Sequence, residues 1–246
     1  MASPIYDAIG IGYADTRRPD ARIEAQIHAH LGAATRVVNV GAGAGSYEPM
    51  DRGVVAVEPS AEMIGQRSSP APVVRALAGA LPFADGSFDA AMALLTVHHW
   101  PDAHAGLREL RRVTTGPIVV LTFDYAVHLE QWLVVDYFPE MAQLDRDVPS
   151  PEAIASSLGG GDVHVLPVPY DCEDGFCHAW WRRPEAYLDP RVRAGISGIA
   201  RQPEDVVERA TRALAADLDS GAWHRRHGDL LQLDEIDAGY RLVVAR

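Results

Sequence analysis

Three glycines alternate with alanines directly after an apolar run, and a carboxylate follows at the end of the next apolar run. The segment reads VVNVGAGAG over residues 37–45, and the second run, residues 54–57, ends on Glu58. Glycines let a backbone approach a ligand closely, and an acid at the tip of the neighbouring strand can accept hydrogen bonds from both hydroxyls of a ribose. The sequence therefore predicts a strand, a glycine turn and a second strand that together bind a nucleoside.

The spacing of the glycines favours a nucleoside without phosphates. A dinucleotide-binding turn reads G-x-G-x-x-G, whereas here Gly45 comes one position early and Ser46 occupies the place of the third glycine. A helix is expected near residues 45–51, and Glu48 close to its start would repel a pyrophosphate bound there. A glycine pattern alone is equally compatible with an ordinary strand–turn–helix connection, so the correctly spaced Glu58 is what favours the functional interpretation.

Three motifs, in order along the chain, resemble those of class I S-adenosylmethionine-dependent methyltransferases. They are VVNVGAGAGSYEP, VVAVEPS and, over residues 81–100, LPFADGSFDAAMALLTVHHW. The chain is most similar to the small-molecule branch that includes the ubiquinone and menaquinone C-methyltransferases, the methyltransferase type 11 family. The similarity covers residues 1–123 and fades after residue 125. It implies a doubly wound α/β fold with a mostly parallel, Rossmann-like sheet, and S-adenosylmethionine as the cofactor.

The resemblance implies a role for each matching residue. The glycine loop would lie beneath the methionine part of the cofactor, Glu58 would bind the ribose, and Met63 would lie against the adenine. Relatives usually carry an acid after the third strand, where this chain has Leu77, so the adenine edge departs from the family pattern. The expected cofactor-binding residues are Gly41, Ala42, Gly43, Gly45, Glu58, Pro59, Met63, Leu77, Ala78 and Leu94.

Candidate catalytic groups follow the fourth predicted strand. His98 and His99 stand at its carboxyl end, which lines the ligand crevice in a parallel sheet. We expect one of them, preferably His98, to act as a base or to position the acceptor, and the other to be structural. Tyr13 belongs to an N-terminal segment that folds over the cofactor in relatives; the alternative is a surface segment packed by its tyrosines.

Aromatic side chains could clamp a hydrophobic or planar acceptor and attract the sulfonium charge. The candidates are Tyr13, Trp132, Tyr137 and Trp180. The alternative for each of them is a place in the hydrophobic core of a helical insertion.

Alternating apolar strands and amphipathic helices predict right-handed crossovers and a sheet covered on both faces. Strands are predicted over residues 37–41, 54–58, 73–77, 88–95, 117–123, 163–168 and 240–245, and helices over 20–31, 45–51, 60–66, 103–113, 129–146 and from Ser150 onward. The last two strands would pair antiparallel at the sheet edge. We predict a cofactor-binding core, residues 1–170 and 236–246, and a helical cap, residues 171–235, that is inserted before the last strand and shapes the acceptor pocket.

Composition excludes several other functions. The net charge is −12, and all 22 basic residues are Arg. Without Lys the chain can contain neither a P-loop nor a Schiff-base lysine. The arginines occur in pairs rather than tracts, which predicts no nucleic-acid partner. No secretion signal or membrane span is visible, so we expect a cytoplasmic monomer or homodimer that acts on a small molecule.

The two cysteines, Cys172 and Cys177, precede His178 in an acidic stretch. A disulfide is not expected in the cytosol. The Cys-x4-Cys spacing lacks a second ligand cluster. We therefore predict an acidic loop and no metal.

The leading hypothesis is methyl transfer from S-adenosylmethionine to a small-molecule acceptor, achieved mainly by proximity and in-line orientation. One alternative is a cofactor-binding fold that has changed to a non-methylating reaction or a scaffold role. A nicotinamide oxidoreductase is the other, and Ser46 and Glu48 argue against it. The acceptor atom, whether oxygen, nitrogen or carbon, is left open.

Overall fold

The computed structural model describes residues 6–10, 12–144 and 147–246. Its strands are β1 (Arg36–Val40), β2 (Gly53–Val57), β3 (Val73–Val74), β4 (Ala90–Leu94), β5 (Ile118–Phe123), β6 (Asp162–Val165), β7 (Val168–Pro169), β8 (Glu235–Ile236) and β9 (Tyr240–Ala245). Seven of them form one sheet in the order β3-β2-β1-β4-β5-β9-β6, and β7 pairs with β8.

The sheet is mostly parallel, as the sequence predicted. β1 lies parallel to β2 and β4, and β4 lies parallel to β5. The last strand, β9, is antiparallel to both β5 and β6. Every residue of β5 and β9 is buried, because helices cover both faces of the sheet, and most of these residues are apolar, as expected for strands in such a position. The prediction of a doubly wound fold is confirmed.

The α-helices are short on average. They are α1 (Tyr6–Ile9), α2 (Tyr13–Thr16), α3 (Ala21–Leu31), α4 (Ala61–Gly65), α5 (Ala103–Val113), α6 (Tyr125–Leu129), α7 (Pro151–Ser157), α8 (Pro190–Ala194), α9 (Ser197–Ala200), α10 (Glu204–Asp219) and α11 (Ala222–His227). The carboxylate of Asp20 caps α3 by accepting a hydrogen bond from the backbone of Arg22. Ser150 caps α7, and Pro151 is its first residue. These two helix starts follow from the preference of helix N-termini for such residues.

Residues 45–51 are a succession of turns, so the predicted helix there is wrong. Gly45 and Tyr47 have φ values of +93° and +63°, which a right-handed helix does not contain. Pro49 also disfavours the helical region for Glu48, which precedes it. The glycine loop therefore leads into β2 without a helix.

Two further elements differ from the prediction. β3 has two residues, Val73–Val74, where a strand over 73–77 was expected. The predicted helix over 129–146 is replaced by a π-helical turn, Leu133–Tyr137, and a 3₁₀ segment, Pro139–Gln143. Pro139 explains the break, since proline cannot continue a helix from within.

Apolar side chains form one core on each face of the sheet and a third among the later helices. The third core joins Trp132 and Tyr137 to Tyr187 and Trp223. Residues between β7 and β8 contain α8 to α11, and the pairing of Val168 with Ile236 brings the two ends of this segment together. Within the ranges described above, no helix is long and apolar enough to cross a membrane.

Candidate cofactor and acceptor site

A cavity of about 550 Å³ opens where the carboxyl ends of β1, β2 and β4 meet. This is the place at which parallel α/β sheets bind ligands. The predicted site residues that line it are Tyr13, Gly41, Ala42, Gly43, Glu58, Pro59, Met63, Leu77, Ala78, Leu94, His98 and His99. Three separate sequence motifs therefore converge on one cavity.

Gly41 fixes the path of the loop beneath the cavity. Its φ is +73°, and a Cβ added there would lie 1.9 Å from Oγ1 of Thr96. Its N–H donates a hydrogen bond to the carbonyl of Val57, at 2.8 Å. Only glycine allows the loop after β1 to pass this close to the end of β4 and to stay attached to β2.

Glu58 is held in place by two backbone donors. Its Oε2 accepts a hydrogen bond from the N–H of Gly43 at 2.8 Å, and its Oε1 accepts one from the N–H of Ser60, also at 2.8 Å. The carboxylate is 6% exposed, and this burial raises its pKa despite the two donors. Each oxygen keeps a lone pair for a second donor, so the group can accept hydrogen bonds from a vicinal diol.

Glu48 does not act as the free negative charge that the sequence suggested. Its Oε2 forms a buried ion pair with Nη2 of Arg67 at 2.7 Å, and its Oε1 accepts a hydrogen bond from the amide of Asn39 at 2.9 Å. Arg67 also donates to the carbonyl of Gly43 at 3.1 Å. The ion pair neutralises Glu48 and supports the glycine loop from outside the cavity. Glu48 would therefore not repel a pyrophosphate, and its charge is not the reason that this site suits a phosphate-free ligand. The reason is the absence of a helix N-terminus after the loop in residues 41–52, since such termini bind phosphates.

The N-terminal segment closes one side of the cavity. The hydroxyl of Tyr6 forms a hydrogen bond with Nε2 of His99 at 3.0 Å. Tyr13 and Arg17 also line the cavity, and Arg17 hydrogen-bonds to the Tyr13 hydroxyl. Burial raises the pKa of both tyrosines, so both are neutral donors at physiological pH.

His98 and His99 lie in a 3₁₀ turn, Val97–His99, directly after β4. Their ring centroids are 3.8 Å apart. Burial, reinforced by the charges of Arg201 and Arg17, lowers the pKa of His98 to about 3. A general base is most effective when its pKa is near the working pH. The geometry and pKa of His98 therefore suit a neutral hydrogen-bonding group better than a base.

A second, smaller cavity of about 60 Å³ adjoins the first, and we call it the inner chamber. Tyr6, Arg17, Leu95 and His98 line both cavities. The remaining walls of the inner chamber are largely aromatic or sulfur-containing: Phe123, Tyr125, His128, Leu129, Met141, Leu144, Phe176, Cys177, Gly195, Ile196, Ser197, Gly198 and Tyr240.

Three of the predicted acceptor residues, Trp132, Tyr137 and Trp180, line neither of these two cavities. Trp132 donates from Nε1 to the carbonyl of Trp181 at 3.0 Å, and the hydroxyl of Tyr137 donates to Asp217 at 2.8 Å. The ring of Trp180 lies 4.2 Å from the guanidinium carbon of Arg183. All three pack in the core of the helical segment, which was the alternative left open from the sequence. Gly45 also lies outside the cavity lining, where it contacts Ser69 and Arg67.

Several residues that line the larger cavity were not predicted from the sequence. Tyr47 and Leu95 have positive φ values, +63° and +51°, a conformation that is costly for side chains larger than glycine and that concentrates at functional sites. Polar or aromatic examples are Asn39, Thr96, Trp100 and Arg201. Thr96 and Trp100 flank the histidine pair, so the position of β4 could have identified them, whereas no local signal marks Arg201.

The comparisons with known proteins agree with this geometry. A methyltransferase domain family matches residues 38–120. A solved structure from Anabaena variabilis ATCC 29413, a proposed methyltransferase from an antibiotic biosynthesis pathway, is 33% identical and superposes with a TM-score of 0.88 over 94% of this chain and 99% of its own. The chain belongs to the class I S-adenosylmethionine-dependent methyltransferases. No curated protein matches it.

Two more distant structures are similar to this methyltransferase in fold alone. The [4+2]-cyclase SpnF is 15% identical, with a TM-score of 0.53 over 98% of this chain and 93% of its own. A methyltransferase in complex with the Trm112 activator of Haloferax volcanii is 16% identical, with a TM-score of 0.54 over 99% of this chain and 98% of its own. The fold alone hosts several kinds of protein.

The cofactor of this methyltransferase is S-adenosylmethionine, and the residues present fit it. The glycine loop lines the cavity with backbone and one small side chain at Gly41, Ala42 and Gly43. A buried carboxylate, Glu58, faces the cavity at the end of β2. The cavity volume of about 550 Å³ is within the range of small-molecule sites.

Proposed function

We propose that this enzyme methylates a small molecule that it binds in the inner chamber. The observation that carries the proposal is the junction of the two cavities at Tyr6, Arg17, Leu95 and His98. S-adenosylmethionine supplies a methyl group on a sulfonium, which is already activated for displacement. The chain therefore has to hold the acceptor in line with that group and to exclude water, which is catalysis by proximity.

The cofactor side of the site is proposed residue by residue. Glu58 would accept hydrogen bonds from the ribose hydroxyls, and its two backbone donors keep its oxygens correctly placed. Met63 and Leu77, both in the cavity lining, would lie against the adenine. Gly41, Ala42 and Gly43 would lie beneath the methionine part.

On the acceptor side, we assign positioning to the neutral imidazole of His98 and to the hydroxyl of Tyr13. His99 would hold Tyr6, to which it is hydrogen-bonded. The segment 171–235 would serve as the cap of the acceptor pocket, because Cys177 and Ser197 line the inner chamber and Arg201 lines the cofactor cavity.

Charge and the similarity to a relative support a small acceptor. An inner chamber of about 60 Å³ has room for the part of the acceptor that carries the reacting atom. A net charge of −12 disfavours nucleic acid, whose binding depends on basic surfaces. The antibiotic pathway named for the relative from Anabaena variabilis also points to small-molecule chemistry. The cytoplasmic location and the monomeric or homodimeric state stay predictions.

A labelling experiment tests this function. The purified enzyme is incubated with methyl-labelled S-adenosylmethionine and either a filtered metabolite extract or the protein and nucleic-acid fractions of the same cells. We expect labelled product in the filtered extract, together with an equal amount of S-adenosylhomocysteine. Label that appears only in the macromolecular fractions contradicts the small-molecule assignment, and cofactor binding without any S-adenosylhomocysteine would support a non-methylating reaction.

A further inference from the structure

Three side chains with metal-binding atoms converge beside the inner chamber. His128 belongs to α6, and Cys177 and His178 are neighbours in the segment between β7 and β8. One ligand atom from each lies within 4.8 Å of the other two. His128 and Cys177 line the chamber, and His178 is 1% exposed. Beyond a place in or beside the chamber wall, the proposed methyl transfer assigns no task to these three groups.

The cluster is held as metal ligands usually are. Nε2 of His178 donates a hydrogen bond to the carbonyl of His128 at 3.2 Å, which fixes the tautomer and leaves Nδ1 with its lone pair. The ring of His128 stacks on Phe123, with centroids 4.7 Å apart. A backbone carbonyl that orients a histidine ring is the common outer partner of a metal-binding imidazole.

The set of donors selects the kind of ion. One thiolate and two imidazoles suit zinc and similar borderline-soft transition metals, whereas magnesium and calcium require oxygen ligands. Cys172, which the sequence placed in the same candidate cluster, lies apart: its Sγ donates to the carbonyl of Asp174 at 3.6 Å. The sequence pattern lacked a second group of ligands, and in the structure α6 brings His128 to Cys177 and His178.

We propose that His128, Cys177 and His178 bind one zinc-class ion whose fourth coordination position faces the inner chamber. Three protein ligands with one open position are typical of catalytic rather than structural zinc sites. The open position would receive water or a donor atom of the acceptor. That last role rests on the proposed function, whereas binding of the ion does not.

The test measures metal binding in the absence of cofactor and acceptor. The full-length protein is treated with a chelator, dialysed, and titrated with Zn²⁺ by calorimetry and with Co²⁺ by absorption spectroscopy. We expect one equivalent of Zn²⁺ to bind, and Co²⁺ to give the thiolate-to-cobalt charge-transfer band of a cysteine ligand. Because this spectrum requires no mutation, it tests the site even if a variant fails to fold.

Matched cysteine variants locate the site. Cys177→Ala should weaken Zn²⁺ binding by at least about 100-fold, because loss of a direct ligand should cost no less than loss of an outer hydrogen-bonding partner, which costs up to about 100-fold. The variant should also lack the charge-transfer band. Cys172→Ala removes the other cysteine, which is buried, and should bind as the wild type does. Failure of the wild type to bind one equivalent, a Co²⁺ spectrum without the thiolate band, or unchanged binding by a folded Cys177→Ala protein each overturns the proposal. None of these results depends on methyl transfer, so a failure here is distinct from a failure of the proposed function.

Discussion

Arg17 and Asp174 are 157 positions apart in the sequence and form a buried ion pair, with Nε and Oδ1 separated by 2.6 Å. A second contact joins Nη2 of Arg17 to Oδ2 at 3.2 Å, and Oδ2 also accepts a hydrogen bond from the hydroxyl of Tyr47 at 2.8 Å. The pair therefore connects the N-terminal segment, the loop after β1 and the segment between β7 and β8 around a single carboxylate. Since Arg17 lines both cavities, the position of these walls depends on Asp174.

We predict that Asp174→Ala destabilises the protein by about 3–5 kcal/mol, because it leaves the buried charge of Arg17 without its partner. Affinity for S-adenosylmethionine should fall as well, since Tyr13 and Tyr47 lose the support of the same network. Urea unfolding and calorimetry measure the two effects.

A nearby aspartate provides the control. Asp171 pairs with Arg22, but both side chains are about half exposed, and exposed pairs contribute roughly 0–1 kcal/mol. Asp171→Ala should therefore change the free energy of unfolding by less than about 1 kcal/mol. Equal effects at the two positions would show that the buried pair has no special role.

Glu58→Gln should reduce the affinity for S-adenosylmethionine by at least about 100-fold, because two hydrogen bonds to a charged group are lost. The amide must also turn its NH₂ toward the N–H of either Gly43 or Ser60, where both carboxylate oxygens now accept. Calorimetry measures the affinity. Glu62→Gln is the control, since Glu62 lies on α4 outside the cavity lining and accepts a hydrogen bond from Gln66. Wild-type affinity in Glu58→Gln would remove this residue from the ribose site.

Gly41→Ala should cost about 2–5 kcal/mol of folding stability and abolish measurable cofactor binding. The estimate adds the strain of a positive φ to that of overpacking against Thr96. Gly159→Ala separates the two causes, because its φ is +89° but nothing lies within 4 Å of the added Cβ, so only about 1–2 kcal/mol of conformational cost is expected. If thermal and urea unfolding show the same loss in both variants, the close approach of Gly41 to Thr96 is unimportant.

The cofactor half of the site could be predicted because its determinants are local. Gly41 and Glu58 each follow an apolar run directly, and the carboxyl ends of neighbouring parallel strands must meet at one edge of a sheet. A strand pattern and a short spacing therefore predicted the edge of the sheet at which both residues line the cavity. The histidine pair followed from the same argument, applied to β4.

The acceptor half depends on contacts that the sequence does not encode locally. No sequence pattern near Arg17 indicates its ion pair with Asp174, and none near Cys177 indicates that His128 lies close to it. Trp132 shows why the sequence left two alternatives open: an aromatic residue in a helical segment suits a binding wall and a core equally well, and the structure buries Trp132 in a core. The turns at residues 45–51 were missed because Tyr47 adopts a positive φ that is uncommon for its type.

The pH dependence of stability should reveal the buried imidazole of His98. An unfolded histidine titrates near pH 6.5, whereas burial and the neighbouring arginines lower the pKa of folded His98 to about 3. Between these values the unfolded chain binds a proton that the folded chain does not, so stability is complete above pH 6.5 and falls as the pH is lowered. Between pH 7 and pH 5 this histidine should account for about 2 kcal/mol of lost stability.

Comparison with a variant isolates that contribution from the carboxylates. The free energy of unfolding of His98→Asn, measured in urea at pH 7, 6 and 5, should decline less steeply than that of the wild type. His104→Asn replaces a solvent-exposed histidine on α5 and should keep the wild-type slope. A wild-type slope in His98→Asn would mean that His98 accepts a proton in the folded protein, and the assignment as a neutral positioning group would be wrong.

Trp132 and Tyr13 should respond oppositely to conservative substitution, because one is a core residue and the other lines the cofactor cavity. Trp132→Phe deletes the hydrogen bond to the carbonyl of Trp181 and part of a buried ring, which should cost about 2–3 kcal/mol of stability. Its cofactor affinity and its kcat should stay close to wild type, since the cavities are lined by other residues. Tyr13→Phe keeps the ring but removes the hydroxyl that Arg17 contacts, so it should lower cofactor affinity or kcat with a smaller loss of stability. Loss of methyl transfer in a Trp132→Phe protein that still binds S-adenosylmethionine would restore Trp132 to the acceptor site and move the proposed pocket away from the inner chamber.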